Sequence, residues 1–101
     1  SRGPLVYPEK DFGETYEAKN GVFNLSFIAE AVNGLKEVYV VSEGKKVRSR
    51  ILASDYVKLE DTQKESFDFY LNPSEDTWYS LIVIDQNGNH LYSNPIWVES
   101  N

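Results

Sequence analysis

The residues able to do chemistry are few and scattered. His90 is the sole histidine and follows Asn89 where a return strand should begin, so its side chain is expected to face water. Metal capture or general-base work by an imidazole needs partners at defined geometry, and the chain has no second histidine and no cysteine. Asp85-Gln86-Asn87-Gly88-Asn89 places oxygen ligands at alternate positions, like the start of a calcium loop. Such a loop ends on a bidentate glutamate carried by a helix, whereas His90-Leu91-Tyr92 continues as a strand. Asn87-Gly88 between apolar strands is therefore read as a type I′ turn. The acidic residues Asp55, Glu60-Asp61 and Glu75-Asp76 invite a glycosidase reading, but that chemistry rests on a fixed carboxylate separation, and acidic loops of an acidic chain are read as solvated turns. Gly-x-Ser-x-Gly is absent, and the 6 glycines are scattered rather than gathered into a phosphate cradle.

No catalytic, cofactor-binding or metal-ligating residue is assigned on these grounds, and what remains is recognition chemistry. Lys45, Lys46, Arg48 and Arg50 form a basic cluster. Alternation along a strand would put Lys46, Arg48 and Arg50 on one face, toward an anionic partner or an acidic neighbouring domain. The same charges also suit a solvated edge hairpin guarded against edge-to-edge pairing. Seven tyrosines, 5 phenylalanines and 2 tryptophans exceed what a core of this size requires. They fill the interior and an interface, and an exposed row of them would stack on sugar rings. The aromatic surface around Trp78, Tyr92 and Trp97 is the expected contact with another domain.

The elements that must position these residues are strands. Phe23, Leu25, Phe27, Ala29 and Ala31 alternate with Asn24, Ser26, Ile28, Glu30 and Val32, a period of two, and Asn33-Gly34 closes that strand. Residues 35–42 are rich in β-branched and aromatic types; a turn at 43–46 leads into a basic arm at 47–52. Tyr56-Val57-Lys58-Leu59 is read as a short strand, and residues 64–71 as a longer one with Phe67, Phe69 and Leu71 on one face. After a loop at 72–76, Tyr79, Leu81 and Val83 lie opposite Trp78, Ser80, Ile82 and Ile84. Both faces of that strand are apolar, which marks it as central. Its return strand must break at Pro95. Residues 1–20 hold Pro4 and Pro8 and are read as a linker and edge segment, with Phe12 and Tyr16 tucked under the fold. About seven strands in two sheets, an all-β immunoglobulin-like antiparallel β-sandwich spanning residues 21–101, is the expected fold.

Composition narrows the partners. A net charge of −6 repels phosphate backbones, so nucleic acid is not expected. No apolar run is long enough for a membrane-spanning helix. At 101 residues one domain buries roughly two-thirds of its unfolded surface and needs no disulfide, which leaves the compartment open. The start at Ser1-Arg2-Gly3-Pro4, without methionine, is read as a segment cut from a longer protein.

The hairpin Trp78-Tyr79-Ser80-Leu81-Ile82-Val83-Ile84-Asp85, with Gly88 in its turn and Tyr92-Ser93-Asn94-Pro95-Ile96-Trp97-Val98 returning, resembles the ending of bacterial metallohydrolases of the PHP (polymerase and histidinol phosphatase) superfamily, in the carbaryl-hydrolase-like branch. Gly3-Pro4-Leu5-Val6 with Phe12-Gly13-Glu14 resembles the segment that follows their catalytic barrel, and residues 35–48 their central hairpin. The resemblance implies a non-catalytic C-terminal accessory domain that packs on, or helps assemble, the N-terminal catalytic domain of the same protein. Divalent metals are expected in that barrel, whose histidine and aspartate motifs do not occur here, so no site residue carries over. The alternative from the residues themselves is an independent carbohydrate-binding or adhesion module.

Overall fold

The structure, a computed structural model, describes residues 3–32, 34–51 and 63–100. Nine strands run through them: β1 Leu5–Pro8, β2 Thr15–Glu17, β3 Phe23–Ala31, β4 Leu35–Ser42, β5 Lys45–Ile51, β6 Gln63–Leu71, β7 Thr77–Asp85, β8 His90–Tyr92 and β9 Ile96–Glu99. One sheet has the order β1-β3-β6 and the other β2-β9-β7-β4-β5, with β8 also on β7. This is the expected two-sheet sandwich, with nine strands where about seven were anticipated. The two short additions come from splitting the return strand into β8 and β9 and from β2. The expected strand at 56–59, the acidic residues Asp55, Glu60 and Asp61, and Asn33 lie outside the described residues.

The core sits between the sheets and follows the alternation. Phe23, Leu25, Phe27, Ala29 and Ala31 of β3 face Val38 and Val40 of β4 and Tyr79, Leu81 and Val83 of β7, all buried. Phe27, Phe67 and Phe69 stack with ring centroids 5.2 to 6.4 Å apart. The segment before residue 20 joins in. Leu5–Pro8 is an edge strand paired with β3, as its proline content requires. Thr15–Glu17 pairs in parallel with β9, and Phe12 and Tyr16 pack against the core.

Turn chemistry departs from expectation at Asn87-Gly88. Gly88 has φ 86° while Asn87 does not take positive φ, so the pair cannot form the type I′ turn, which needs both. Instead Gly88 N–H donates to Asp85 O at 3.0 Å, making a turn over residues 85–88. The buried Asp85 carboxylate organises it. Oδ1 accepts from the backbone N–H of Asn87 and Asn89 at 3.0 and 2.8 Å, and Oδ2 from Asn89 Nδ2 at 2.9 Å. Those bonds engage both carboxylate oxygens of Asp85. Positive φ at both central positions occurs instead at Asn20-Gly21, bonded across by Lys19 and Val22, and at Glu43-Gly44.

Pro95 breaks the return strand as expected, and the structure shows how β7 tolerates the break. Ser93 N–H donates to Leu81 O at 2.9 Å, and Leu81 N–H donates to the Ser93 hydroxyl Oγ at 2.8 Å. A side-chain oxygen thus replaces a ladder carbonyl, and the register shifts by one residue between Ile82↔Tyr92 and Tyr79↔Ile96. Removing that acceptor strands an N–H in the middle of the central strand. Ser93→Ala is expected to lower stability by about 1–3 kcal/mol, read from the urea midpoint at unchanged slope; a shift within experimental error refutes the role.

Candidate recognition surface

The outer faces of the two sheets differ. The outer face of the smaller sheet carries Asn24, Ser26, Glu30, Lys64, Ser66 and Asp68, with Ile28 and the exposed Tyr7 and Tyr70 among them; the Tyr7 hydroxyl donates to Glu30 and the Lys64 ammonium lies over the Tyr7 ring. That of the larger sheet carries Tyr39 and Val41 from β4, Trp78, Ile82 and Ile84 from β7, Tyr92 from β8 and Trp97 from β9, set there by alternation and by the pairs Tyr39↔Ile82, Ile82↔Tyr92 and Trp78↔Trp97. Trp78, Tyr92 and Trp97 therefore share a face, as the sequence suggests, but in two patches. Ile82 lies four residues from Trp78, about 13 Å along the strand at roughly 3.3 Å per residue. One patch is the row Tyr39, Ile82, Tyr92, with Tyr92 69% exposed and His90 stacked on it at 5.7 Å. His90 itself faces water, its Nδ1 2.9 Å from Gly88 O. The other patch is the tryptophan pair, with Trp97 48% exposed.

The basic cluster does not share a face. A bulge between Val40 and Val41 pairs Val41 with Lys46 but Val40 with Arg48, so Val47 is the extra residue and alternation restarts one step late. Lys46 points to the outer face, where Nζ meets Glu37 Oε2 at 3.0 Å and lies 4.4 Å from the Tyr39 ring centroid. Arg48 and Arg50 point the other way, along the open flank between β5 and β6. Arg50 covers the Phe67 ring at 5.2 Å, and Arg48 donates to Val47 O at 2.8 Å and to Tyr70 O at 3.5 Å.

Beside the tryptophan pair lies an open groove of about 530 Å³, floored by Trp78 and Trp97 and walled by Thr15, Glu75, Asp76 and Glu99. A second, of about 320 Å³, opens between Arg48, Leu71, Pro73 and Tyr79. Glu43, Glu75 and Thr77 line both. Among the described residues no three His, Asp or Glu side chains converge as metal ligands, and no helix is long and apolar enough to cross a membrane.

No protein-family model matches the sequence, and no curated protein matches it. Among solved structures, the chain is similar to the fibronectin(III)-like modules of Clostridium thermocellum CbhA, at TM-score 0.60 and 12% identity over 96% of each chain. The fold is fibronectin(III)-like. In this frame β1-β3-β6 forms the smaller sheet, and the surface described above belongs to the larger one.

Sequence reasoning found the tryptophans and missed Tyr79, which it placed simply as core. The Tyr79 ring stacks on Phe23 at 6.4 Å, 3° from parallel, and the residue is 6% exposed, yet its hydroxyl end reaches the second groove. Burial raises its phenol above the usual value of 10.0, opposed by the Arg48 charge. A phenol whose folded pKa is raised gives stability that is complete below its unfolded pKa and is lost as pH climbs through the folded one. The stability difference between the native chain and Tyr79→Phe should therefore be flat up to about pH 9 and move in favour of Tyr79→Phe above about pH 10. Chemical denaturation across that range checks it; parallel curves refute it.

Proposed function

We propose that this chain is a non-catalytic accessory module of a larger protein, and that it docks through the Tyr39, Ile82, Tyr92 row of its larger sheet. The observation that carries this reading is the asymmetry of the outer faces. The smaller sheet sets Tyr7, Ile28 and Tyr70 among charged and hydroxyl side chains, whereas the larger one brings Tyr39, Ile82 and Tyr92 together as neighbours in register, the composition of an interface core. The resemblance of the 78–98 hairpin supports a finer assignment, in which the neighbour is the N-terminal catalytic domain of a PHP-superfamily metallohydrolase and the divalent metals belong to that domain. The fibronectin(III)-like fold fits a module of this kind.

Tyr92 is exposed, so Tyr92→Asp should change the stability of the isolated module by no more than about 0.5 kcal/mol. In the polypeptide that carries the module, the same substitution is expected to speed amide exchange along β8 and β4 by freeing the face. Exchange unchanged by the substitution would overturn docking there. Residues encoded ahead of Ser1 test the parent: a barrel with clustered histidine and aspartate ligands supports it, and any other domain sinks it. Reproducible phosphoester turnover by the isolated chain, abolished by one substitution within it, would falsify the non-catalytic reading.

A further inference from the structure

The two grooves at the 43–44 and 72–76 end of the sandwich adjoin, with Glu43, Glu75 and Thr77 in the lining of both. Their contents differ. In the outer groove Trp78 and Trp97 stand opposite one another on paired strands, with Glu75, Asp76 and Glu99 in the same lining. In the inner groove the Arg48 guanidinium and the Tyr79 hydroxyl face an apolar floor of Val47, Leu71 and Pro73. The Tyr79 hydroxyl has no hydrogen-bond partner among the described residues, although the side chain is otherwise buried. The hydroxyl oxygen itself is not buried, since no buried side-chain polar atom among the described residues lacks a partner, and it is open to the groove.

The local wiring holds this end in shape. Thr77 Oγ1 lies 2.8 Å from Ser42 Oγ and donates to Glu43 Oε2 at 3.1 Å, and Ser100 N–H donates to Asp76 Oδ1 at 2.8 Å. Glu43 occupies the left-handed region at φ 51°, where asparagine or glycine sits more comfortably in a type I′ turn.

We propose that the two adjoining grooves together bind a neutral oligosaccharide. The carboxylates outnumber the single guanidinium, which disfavours an anion, while Arg48 and the Tyr79 hydroxyl in the inner groove disfavour a simple cation. A polyhydroxylated chain answers every part. Its C–H faces lie on Trp78 and Trp97, its hydroxyls donate to Glu75, Asp76 and Glu43, and a ring or hydroxyl oxygen accepts from Tyr79 and Arg48. Each groove, at about 530 and 320 Å³, falls within the usual range of ligand clefts, about 300–1,000 Å³. The site is distinct from the docking row, since Tyr92 and Tyr39 take no part in it.

The test is titration of the isolated module, by calorimetry and by tryptophan fluorescence, with gluco-, xylo-, manno- and N-acetylglucosamine hexasaccharides and a printed array of neutral glycans. Saturable binding to at least one is expected. Tyr79→Phe, which keeps the ring in the core, should weaken it about three- to tenfold, and Trp97→Ala about tenfold. Glu43→Asn should raise stability while weakening binding. Tyr92→Asp should leave sugar affinity unchanged, and Tyr79→Phe should leave docking unchanged, so either proposal can fail alone. Absence of binding across panel and array overturns the inference. So does native affinity in Tyr79→Phe and Trp97→Ala together, or binding confined to an oligo-arginine peptide.

Discussion

Everything in this molecule depends on β7 having its backbone satisfied on both edges while both its faces are apolar. Tyr79, Leu81 and Val83 are buried against the smaller sheet, and Trp78, Ile82 and Ile84 look outward. A strand in that position cannot leave an N–H unpaired, since no water reaches the middle of the ladder. On the β4 side the ladder is regular from Glu37 to Val41. On the other side a proline interrupts it, and the Ser93 hydroxyl takes the place of the carbonyl that the interruption removes. That one substitution of side chain for main chain lets β8 and β9 serve the same edge in different registers. It also places Tyr92 and Trp97 on the same face in spite of the break.

The start of β4 is handled in the same way. Its pairing with β7 slips between Leu35 and Glu37, and the peptide groups freed there are met by amide side chains. Leu35 N–H donates to Gln63 Oε1 at 2.7 Å, and Gln86 Nε2 donates to Leu35 O at 2.7 Å. Gln63 is one of only two buried polar residues among those described, the other being Asp85. Both spend their burial on backbone donors at strand ends. Local irregularities in this sandwich are thus each closed by a specific side chain, and the regular stretches between them rely on apolar alternation.

This division explains what could be read from the sequence. The alternation in residues 23–31 and 64–71, and the double-faced 78–84, specify their strands because a period of two allows only one inward set. The break at Pro95 is legible because proline has no donor. The Lys46, Arg48, Arg50 face was not legible, since a bulge adds a residue without any signal in composition, and one added residue inverts every side chain beyond it. The turn at 85–88 was misread for a related reason. Asn87-Gly88 has the dipeptide preferred by a type I′ turn, but the buried Asp85 carboxylate draws the amides of Asn87 and Asn89 to itself and selects another geometry. Tyr79 was hidden by its own alternation: a residue on the inner face reads as core, and nothing in its spacing shows that the ring spans the core's edge and emerges in a groove.

The short β2 has a mechanical consequence. It runs parallel to β9, joined by Gly13 N–H to Pro95 O at 2.8 Å, Trp97 N–H to Glu14 O at 3.0 Å and Ala18 N–H to Glu99 O at 2.9 Å. In a parallel pair, the leading end of one strand and the trailing end of the other lie at opposite ends of the ladder. Tension between the chain ahead of β2 and the chain after β9 therefore loads these bonds side by side, in shear, so that they must yield together. An antiparallel pairing at the same place would have opened one bond at a time.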